Sequence, residues 1–229
     1  METAIMSDSQ GWARSKDLAD EVAEVAAPWV EGSAYYADAE TYTDVFWTEK
    51  GPFRRFFDRL DPRVLVELAA GHGRHAVEAQ PLAGQLYVID VLAENVAFCS
   101  TRLAGKANVT CMQNDGLGFR PLEDASVTGI YCYDAMVHFS PRIVEAYLHD
   151  AARILVPGGR AVLHHSNFPA PFDRHYGSNP HARNHMTQPL FKLLCTAAGL
   201  TIEDRVPVHW GGMEALDYLS LLRKPAAGD

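Results

Sequence analysis

Residues 64–73 read VLVELAAGHG, an apolar run that ends in two closely spaced glycines. A short apolar run bounded by a glycine turn is typical of a buried strand, and residues 74–80, RHAVEAQ, continue as a helix. Glycine lacks a Cβ atom, so such a turn lets backbone N–H groups approach a ligand closely. The stretch therefore predicts a strand, a turn and a helix, with a ligand site at the turn.

Short apolar runs and helical stretches alternate after this turn. Because strands separated by crossover helices run parallel, the alternation predicts a doubly wound α/β fold whose ligand site lies at the carboxyl ends of the strands. Gly211 and Gly212 join the last two apolar runs so closely that these can pair only antiparallel. We predict a mostly parallel seven-stranded sheet with strands near residues 63–69, 85–90, 108–114, 128–133, 160–165, 200–210 and 216–222. Helices are predicted at residues 74–80, 92–103, 141–155 and 187–199.

The amino-terminal quarter of the chain has a different residue pattern. Apolar residues recur at helical spacing between residues 14 and 29, and residues 33–60 are rich in aromatic side chains. We predict that residues 1–60 form a helical lid over a single core domain, residues 61–229. Tyr36 and Trp47 are candidates to lie over a bound ligand and exclude water, and packing in the core is the alternative.

The composition excludes several classes of function. The 229 residues are 48% hydrophobic, and 29 acidic against 20 basic side chains give a formal charge of −9. These values are typical of a globular protein, and they argue against a nucleic-acid partner because binding a polyanion needs a surplus of Lys and Arg. We see neither a secretory leader nor a long apolar segment and expect a cytoplasmic protein with no membrane partner. The oligomeric state is left open.

Acidic residues accompany the first three predicted strands. Glu67 is in the first strand, Asp90 ends the second in YVID, and Asp115 follows the third in QNDGL. A carboxylate offers only acceptor atoms and therefore suits the two hydroxyls of a ribose. Asp90 as a helix cap and Asp115 in an Asx turn are the structural alternatives. Together with Asp90, the glycines Gly71 and Gly73 also match the dinucleotide fingerprint, so a nicotinamide cofactor is an alternative as well.

These motifs, in this order, resemble those of the class I S-adenosylmethionine-dependent methyltransferases, a family with a seven-stranded, Rossmann-like fold. The family's first motif is an acidic residue followed by Leu-Gly-x-Gly-x-Gly, and the chain matches it from Glu67 to Gly73 except that Ala69 replaces the first glycine. Residues 155–159, LVPGG, resemble the family's turn before the fifth strand. The resemblance spans about residues 60 to 222 and implies S-adenosylmethionine as the cofactor.

The resemblance also assigns roles to individual residues. Glu67 would meet the ammonium end of the cofactor, Asp90 would accept hydrogen bonds from both ribose hydroxyls, and Asp115 would receive the adenine amino group. The full set of expected cofactor contacts is Glu67, Ala69, Gly71, Gly73, Asp90, Asp115, Gly116, Leu117, Tyr133, Tyr36 and Trp47.

Histidines near the strand ends are candidates for a catalytic base. A base is needed when the methyl acceptor is a hydroxyl, whose proton must leave. His138 precedes a helix capped by Ser140, where it faces the transferred methyl group or fills the start of the helix. His164 and His165 end the fifth strand on opposite faces. We assign His138 and His165 as catalytic and place His164 among the substrate contacts.

The polar stretch at residues 167–186 is long for a loop inside a compact domain, which indicates a functional or a solvated segment. We expect Arg183 and His185, together with Asp134 after the fourth strand, to bind the substrate. His181 and His185 have the spacing of paired metal ligands, but the Glu of a metalloprotease motif is absent and we predict no metal.

The sequence therefore predicts an S-adenosylmethionine-dependent methyltransferase that acts on a small molecule, with a hydroxyl oxygen as the acceptor and a histidine as the base. The Asp/Asn-Pro-Pro-Tyr element common in nucleic-acid amino methyltransferases is missing after the fourth predicted strand. Two alternatives stay open: a NAD-dependent oxidoreductase, and a protein that binds S-adenosylmethionine without transferring its methyl group.

Overall fold

The computed structural model describes residues 17–30, 32–171, 174–226 and 228. The predicted start of the first helix, at residues 14–16, and Phe172 in the polar loop lie outside these residues. No helix in the described ranges is both long and apolar enough to cross a lipid bilayer.

Between residue 17 and the first strand, the described residues form four short helices. The first ends in a 3₁₀ turn, Ala27–Trp29, where Pro28 stands inside the turn. The four helices are α1 (Leu18–Ala26), α2 (Ala34–Glu40), α3 (Thr43–Trp47) and α4 (Pro52–Phe57).

Strands and helices then alternate as far as β5, as the sequence predicts, except that β4 follows β3 without a described helix between them. The order is β1 (Val64–Leu68), α5 (Arg74–Ala79), β2 (Gln85–Asp90), α6 (Ala93–Arg102), β3 (Val109–Gln113), β4 (Val127–Cys132), α7 (Pro141–Ile154), β5 (Leu155–Ser166), α8 (Gln188–Ala197), β6 (Thr201–Trp210) and β7 (Met213–Arg223).

The seven strands form one sheet in the order β3-β2-β1-β4-β5-β7-β6. Neighbouring strands from β3 to β5 pair in parallel, whereas β7 runs antiparallel to both β5 and β6. The predicted fold class is therefore confirmed. The strand order reverses between β1 and β4, and in such sheets the crevice outside the carboxyl ends of the strands at that point receives ligands.

The boundaries differ most at β5, which begins at Leu155 although the sequence predicts a turn there and a strand from residue 160. Leu155 still pairs with Val127 of β4 across an irregular register. Gly158, at φ +82°, donates its N–H to the carbonyl of Lys224 at 2.9 Å. The glycine turn thus keeps its backbone hydrogen bonds, which is why the strand runs through it.

Two apolar cores lie on the two faces of the sheet. One core joins α1, α7 and α8 to strand residues such as Val66 and Ile130. The other holds the aromatic side chains of α3 and α4 against residues such as Leu65 and Tyr131. The successive residues 65 and 66 point to opposite faces, as the alternation of a strand requires.

Candidate active site

A cavity lies at the carboxyl ends of β1, β2 and β4, at the predicted place. Its walls are the turn after β1, the residues that end β2 and β3, the segment after β4, and the lid, by which we mean α1, the turn Ala27–Trp29 and α2. The residues with predicted roles that line it are Glu67, Ala69, Gly71, Asp90, Gly116, Tyr133, Tyr36, Asp134 and His138.

The carboxylate of Asp90 organises the wall at the end of β2. One oxygen, Oδ2, accepts the N–H of Gly71 at 2.8 Å, and the other, Oδ1, accepts the N–H of Leu92 at 2.9 Å and Nδ2 of Asn95 at 3.2 Å. Burial raises the pKa of Asp90, although these hydrogen bonds oppose the shift. A carboxylate has about four lone-pair positions, so with three donors in place about one position remains for a ligand hydroxyl.

The backbone of the turn is left-handed at Ala69 (φ +55°), Gly71 (φ +55°) and Gly73 (φ +72°). A Cβ atom on Gly71 would come within 2.8 Å of the Tyr36 ring, so this glycine makes room for the lid. A Cβ atom on Gly73 would instead meet Sγ of Cys99 at 2.9 Å. Gly73 therefore serves the packing of α6 behind the turn and does not reach the cavity, contrary to its predicted cofactor contact.

Glu67 lies at the floor of the cavity and is almost completely buried. Burial raises its pKa to about 8, although the hydroxyl of Tyr131, which donates to Oε2 at 2.9 Å, partly opposes the shift. The carboxyl group is therefore protonated at neutral pH unless a cation is placed beside it.

Asn114, which precedes Asp115, supplies the polar group at the end of β3. Its Nδ2 donates to the carbonyl of Gly118 at 2.6 Å and to the hydroxyl of Tyr147 at 2.8 Å, whereas its buried Oδ1 has no partner. Asp115 is exposed, lies outside the cavity and accepts the N–H of Leu117 at 2.9 Å in an Asx turn. Of the residues at the end of β3, Asn114 therefore lines the cavity, whereas Asp115 and Leu117, the expected adenine contacts, do not.

His138 lines the opposite end of the cavity and is 5% exposed. Its Nδ1 lies 2.9 Å from the carbonyl oxygen of Ala182. A carbonyl only accepts, so Nδ1 carries the proton and Nε2 keeps a lone pair. Burial lowers the pKa of His138 to about 4, so the ring is neutral at physiological pH. The ring packs on Trp29 of the lid with 4.8 Å between centroids.

Asp134 stands beside this end, in a left-handed conformation (φ +59°). Its Oδ2 accepts the hydroxyl of Tyr35 at 2.5 Å and Nη2 of Arg74 at 3.0 Å. Burial alone would raise the pKa of Asp134, but His164, the Tyr35 hydroxyl and the Arg74 guanidinium together lower it below its ordinary value. His164 accepts the backbone N–H of Asp134 through Nδ1 at 3.1 Å and thereby fixes its backbone.

Arg183 and His164, both predicted to bind substrate, lie behind the cavity wall and not on it. Arg183 forms two hydrogen bonds to the buried carboxylate of Asp217, from Nε at 2.9 Å and from Nη2 at 2.6 Å. His164 has its Nε2 3.3 Å from the same carboxylate. Because its charge is already paired, Arg183 has no free capacity for an anionic substrate.

Three further predictions are corrected by the structure. His165 points to the opposite face of β5, where its ring stacks on Phe191 and its Nε2 lies 2.9 Å from Oγ of Ser220. His185 has its Nδ1 2.7 Å from the carbonyl of Ala170 and does not line the cavity. Trp47 packs in the aromatic core and donates its Nε1 to Nδ1 of His75 at 3.0 Å, so core packing is the correct interpretation.

Several residues of the cavity wall were not predicted. They include Trp29, Tyr35, Arg74, His75, Asn95 and Asn114. Asn114 could have been found from its place beside Asp115 at the strand end, and Tyr35 from its place beside Tyr36. The other residues carry no signal in the sequence, because their partners come from distant parts of the chain.

The lid is closed on the cavity. The Tyr36 ring lies on Gly71, and a Cβ atom on Gly116 would come within 2.3 Å of a methyl carbon of Val22. The free volume is about 100 Å³, less than the roughly 300–1,000 Å³ typical of small-molecule sites. The lid therefore has to open before a ligand of cofactor size enters the cavity.

No metal site is formed by the described part of the chain, because no group of three or more His, Cys, Asp or Glu side chains is suitably placed there. His181 adopts a left-handed conformation (φ +48°) inside a 3₁₀ turn, so it does not share a helix face with His185.

Comparison with known proteins finds one family model that matches part of the chain. Residues 65–159 match the family model of a methyltransferase domain. This segment runs from β1 through the turn within β5 and includes the acidic residues and glycines of the cavity. Among curated proteins, none matches the chain.

Many solved structures share the fold. A chain in the complex between the Haloferax volcanii Trm112 methyltransferase activator and the putative methyltransferase is 15% identical, with a TM-score of 0.63 over 84% of this chain and 96% of that chain. Geranyl diphosphate C-methyltransferase from Streptomyces coelicolor A3(2), crystallised with S-adenosyl-L-homocysteine, is 15% identical with a TM-score of 0.61, over 75% and 74% of the two chains. The [4+2]-cyclase SpnF is 16% identical with a TM-score of 0.63, over 90% and 94%.

We expect Glu67→Gln to change how stability depends on pH. The folded protein keeps the Glu67 proton up to about pH 8, whereas the unfolded chain releases it near the ordinary pKa of 4.5. The folded state thus binds more protons in this window, and the wild-type free energy of unfolding falls as pH rises, by at most about 1.4 kcal/mol per pH unit. The variant avoids this loss, so its urea midpoint should rise relative to wild type from about pH 5 to about pH 8.

Glu145→Gln is the matched control because Glu145 is exposed on α7. This variant should follow the wild-type pH dependence. If the difference in urea midpoint between Glu67→Gln and wild type is the same at every pH, Glu67 is not a buried carboxyl group that stays protonated in the folded protein.

Proposed function

Because residues 65–159 match the family model of a methyltransferase domain, we propose that this protein transfers the methyl group of S-adenosylmethionine to a hydroxyl oxygen of a small molecule. The observation that carries the proposal is that Glu67, Asp90 and Asn114 line the same cavity as His138, whose Nδ1 is held by the carbonyl of Ala182. Neither the acceptor nor the base follows from the family alone.

The cavity residues fit the cofactor in their chemistry. Asp90 would accept a hydrogen bond from a ribose hydroxyl, and the unpaired Oδ1 of Asn114 would accept the adenine amino group. Glu67 would lose its proton and stay ionised beside the cationic end of the cofactor, because a neighbouring cation lowers the pKa of a buried carboxyl. Buried acceptors that lack partners are costly, and a ligand donor removes this cost.

The bound cofactor would supply an electrophilic methyl group on a sulfonium sulfur, and this sulfur would keep the electron pair of the broken S–C bond as a neutral thioether. The residues of the chain do the rest. Aromatic walls from Trp29, Tyr35 and Tyr133 orient the acceptor and exclude water. Nε2 of His138 takes the hydroxyl proton as the oxygen bonds to the methyl carbon, and the hydrogen bond to Ala182 stabilises the imidazolium that results.

Charge pairing supports a neutral small molecule as the acceptor. Arg74 is paired with Asp134, and Arg183 with Asp217, so neither guanidinium is free for an anion. The net charge of −9 also opposes an acceptor that is itself a polyanion.

A second candidate is catalysis without methyl transfer. One structure of similar fold is a [4+2]-cyclase, which shows that this fold also hosts other reactions. Production of S-adenosylhomocysteine with a panel of small hydroxyl compounds separates the two candidates, since only a methyltransferase consumes the cofactor.

Cofactor binding should depend on Asp90 and not on Asp115. We expect S-adenosylhomocysteine to raise the melting temperature of the wild-type protein and NAD to leave it unchanged. Asp90→Asn should weaken S-adenosylhomocysteine binding about tenfold in calorimetry, because an ionised acceptor for a ribose hydroxyl is lost. Asp115→Asn, a carboxylate outside the cavity, is the control and should bind like wild type. Stabilisation by NAD alone would establish an oxidoreductase instead.

His138→Gln should depress turnover and spare cofactor binding. With an acceptor that the wild type methylates, we expect the rate to fall by roughly 10²- to 10⁴-fold, the usual contribution of a positioned base. The wild-type kcat/KM should fall as pH drops through about 4, where His138 becomes protonated, and this limb should vanish in the variant. His165→Gln is the control, since His165 lies on the other face of the sheet. Equal loss of binding and turnover in His138→Gln would make His138 a structural residue.

A further inference from the structure

A chain of contacts runs through the lid from the cofactor end of the cavity to the acceptor end. Asn95 of α6 donates through Nδ2 to Oδ1 of Asp90 at 3.2 Å and to the hydroxyl of Tyr36 at 2.9 Å. The Tyr36 hydroxyl in turn donates to the carbonyl of Trp29 at 2.6 Å. The Trp29 ring packs on His138. Each link joins one residue to the next without a gap.

Asn95 contributes to this chain a buried hydrogen-bonding atom that has no partner. Its side chain is 1% exposed, both N–H groups of its amide are engaged, and its Oδ1 is buried with no partner. A buried acceptor in this state costs free energy until a donor reaches it. The atom lies in the cavity wall beside Asp90, so the missing donor is expected from a ligand that Asp90 also holds.

The direction of the chain is fixed by Asp90. Turning the Asn95 amide over would place its oxygen against Oδ1 of Asp90, and two acceptors would then face each other. The amide therefore presents N–H to Tyr36, and the Tyr36 hydroxyl must donate onward to Trp29. The hydrogen bonds that hold the lid closed therefore begin at the carboxylate of Asp90.

We propose that Asn95 is a positioning residue that couples occupation of the ribose site at Asp90 to closure of the lid over the acceptor end. With the lid open, water reaches Oδ1 of Asn95. With the lid closed and the site empty, this oxygen is dry and unpaired; with the lid closed and a ribose hydroxyl present, it is paired. The ligand therefore favours the closed lid by linkage.

This inference rests on the proposed function, because it takes the ligand at Asp90 to be the ribose of the cofactor. It also gives the order in which the cofactor site and the acceptor site are completed. Trp29 and Tyr35, which form walls of the acceptor end, belong to the lid that the cofactor closes. The acceptor site is therefore completed only after the cofactor is bound.

Hydrogen exchange of the lid amides, with and without S-adenosylhomocysteine, tests the coupling. In the wild-type protein we expect the ligand to slow exchange in residues 18–40 by about tenfold, the effect of one net hydrogen bond. Asn95→Leu keeps the volume but removes the amide, and Tyr36→Phe keeps the ring on Gly71 but removes the hydroxyl. Each variant should lose most of the ligand-dependent protection, and the double variant should lose no more than either, because the two residues act in one chain.

Glu40→Gln provides the matched control on the same lid. Glu40 pairs with Arg102 of α6 outside the chain of contacts described above. This variant should speed exchange of the lid equally with and without ligand, so the ratio between the two conditions stays at the wild-type value. A reduced ratio in Glu40→Gln would show that any weakening of the lid imitates the effect of Asn95.

Two results would overturn the proposal: full ligand-dependent protection in Asn95→Leu, or additive effects of Asn95→Leu and Tyr36→Phe. A wild-type protein that does not bind S-adenosylhomocysteine would instead end the proposed function. The coupling is then tested by hydrogen exchange of the lid amides in the ligand-free proteins. The effects of the Asn95 and Tyr36 substitutions on this exchange must still be non-additive. Additive effects would reject the coupling.

Discussion

The buried carboxylate of Asp90 is the constraint from which the site takes its shape. Through the N–H groups of Gly71 and Leu92 it holds the turn after β1 to the turn after β2, and through Asn95 it reaches α6 and the lid. A charge 6% exposed is tolerated only where several donors surround it. The donors that satisfy it are therefore also the groups whose positions define the cavity.

The fold was predictable because its signals are local. The glycine turn at Gly71, the cap at Ser140 and the alternation of apolar runs each depend on residues close in sequence, and all seven strands lie where such patterns place them. The main difference is β5. Its early start depends on hydrogen bonds to Lys224 and a register with β4, which are made with segments far away in the chain.

The site was predictable only in part, because the side chains that complete it are selected by tertiary contacts. Glu67, Asp90 and His138 were found, since strand ends converge at one edge of the sheet. Asn114 was missed by a single residue, because the turn after β3 sends the next carboxylate outward into an Asx turn. His165 was chosen over His164 although alternation alone cannot tell which face of a strand meets a cavity, and the carbonyl that fixes the tautomer of His138 comes from residue 182.

Two ion pairs, Arg74 with Asp134 in the cavity wall and Arg183 with Asp217 behind it, also restrict how this protein can diverge. Losing one member of a buried pair costs roughly 3–5 kcal/mol, because the other charge is stranded. That is a large share of the 5–15 kcal/mol, roughly, by which a domain is stable. Evolutionary drift at these four positions is therefore expected to proceed by compensated double replacements, and the aspartate after β4 should change together with the arginine that opens α5.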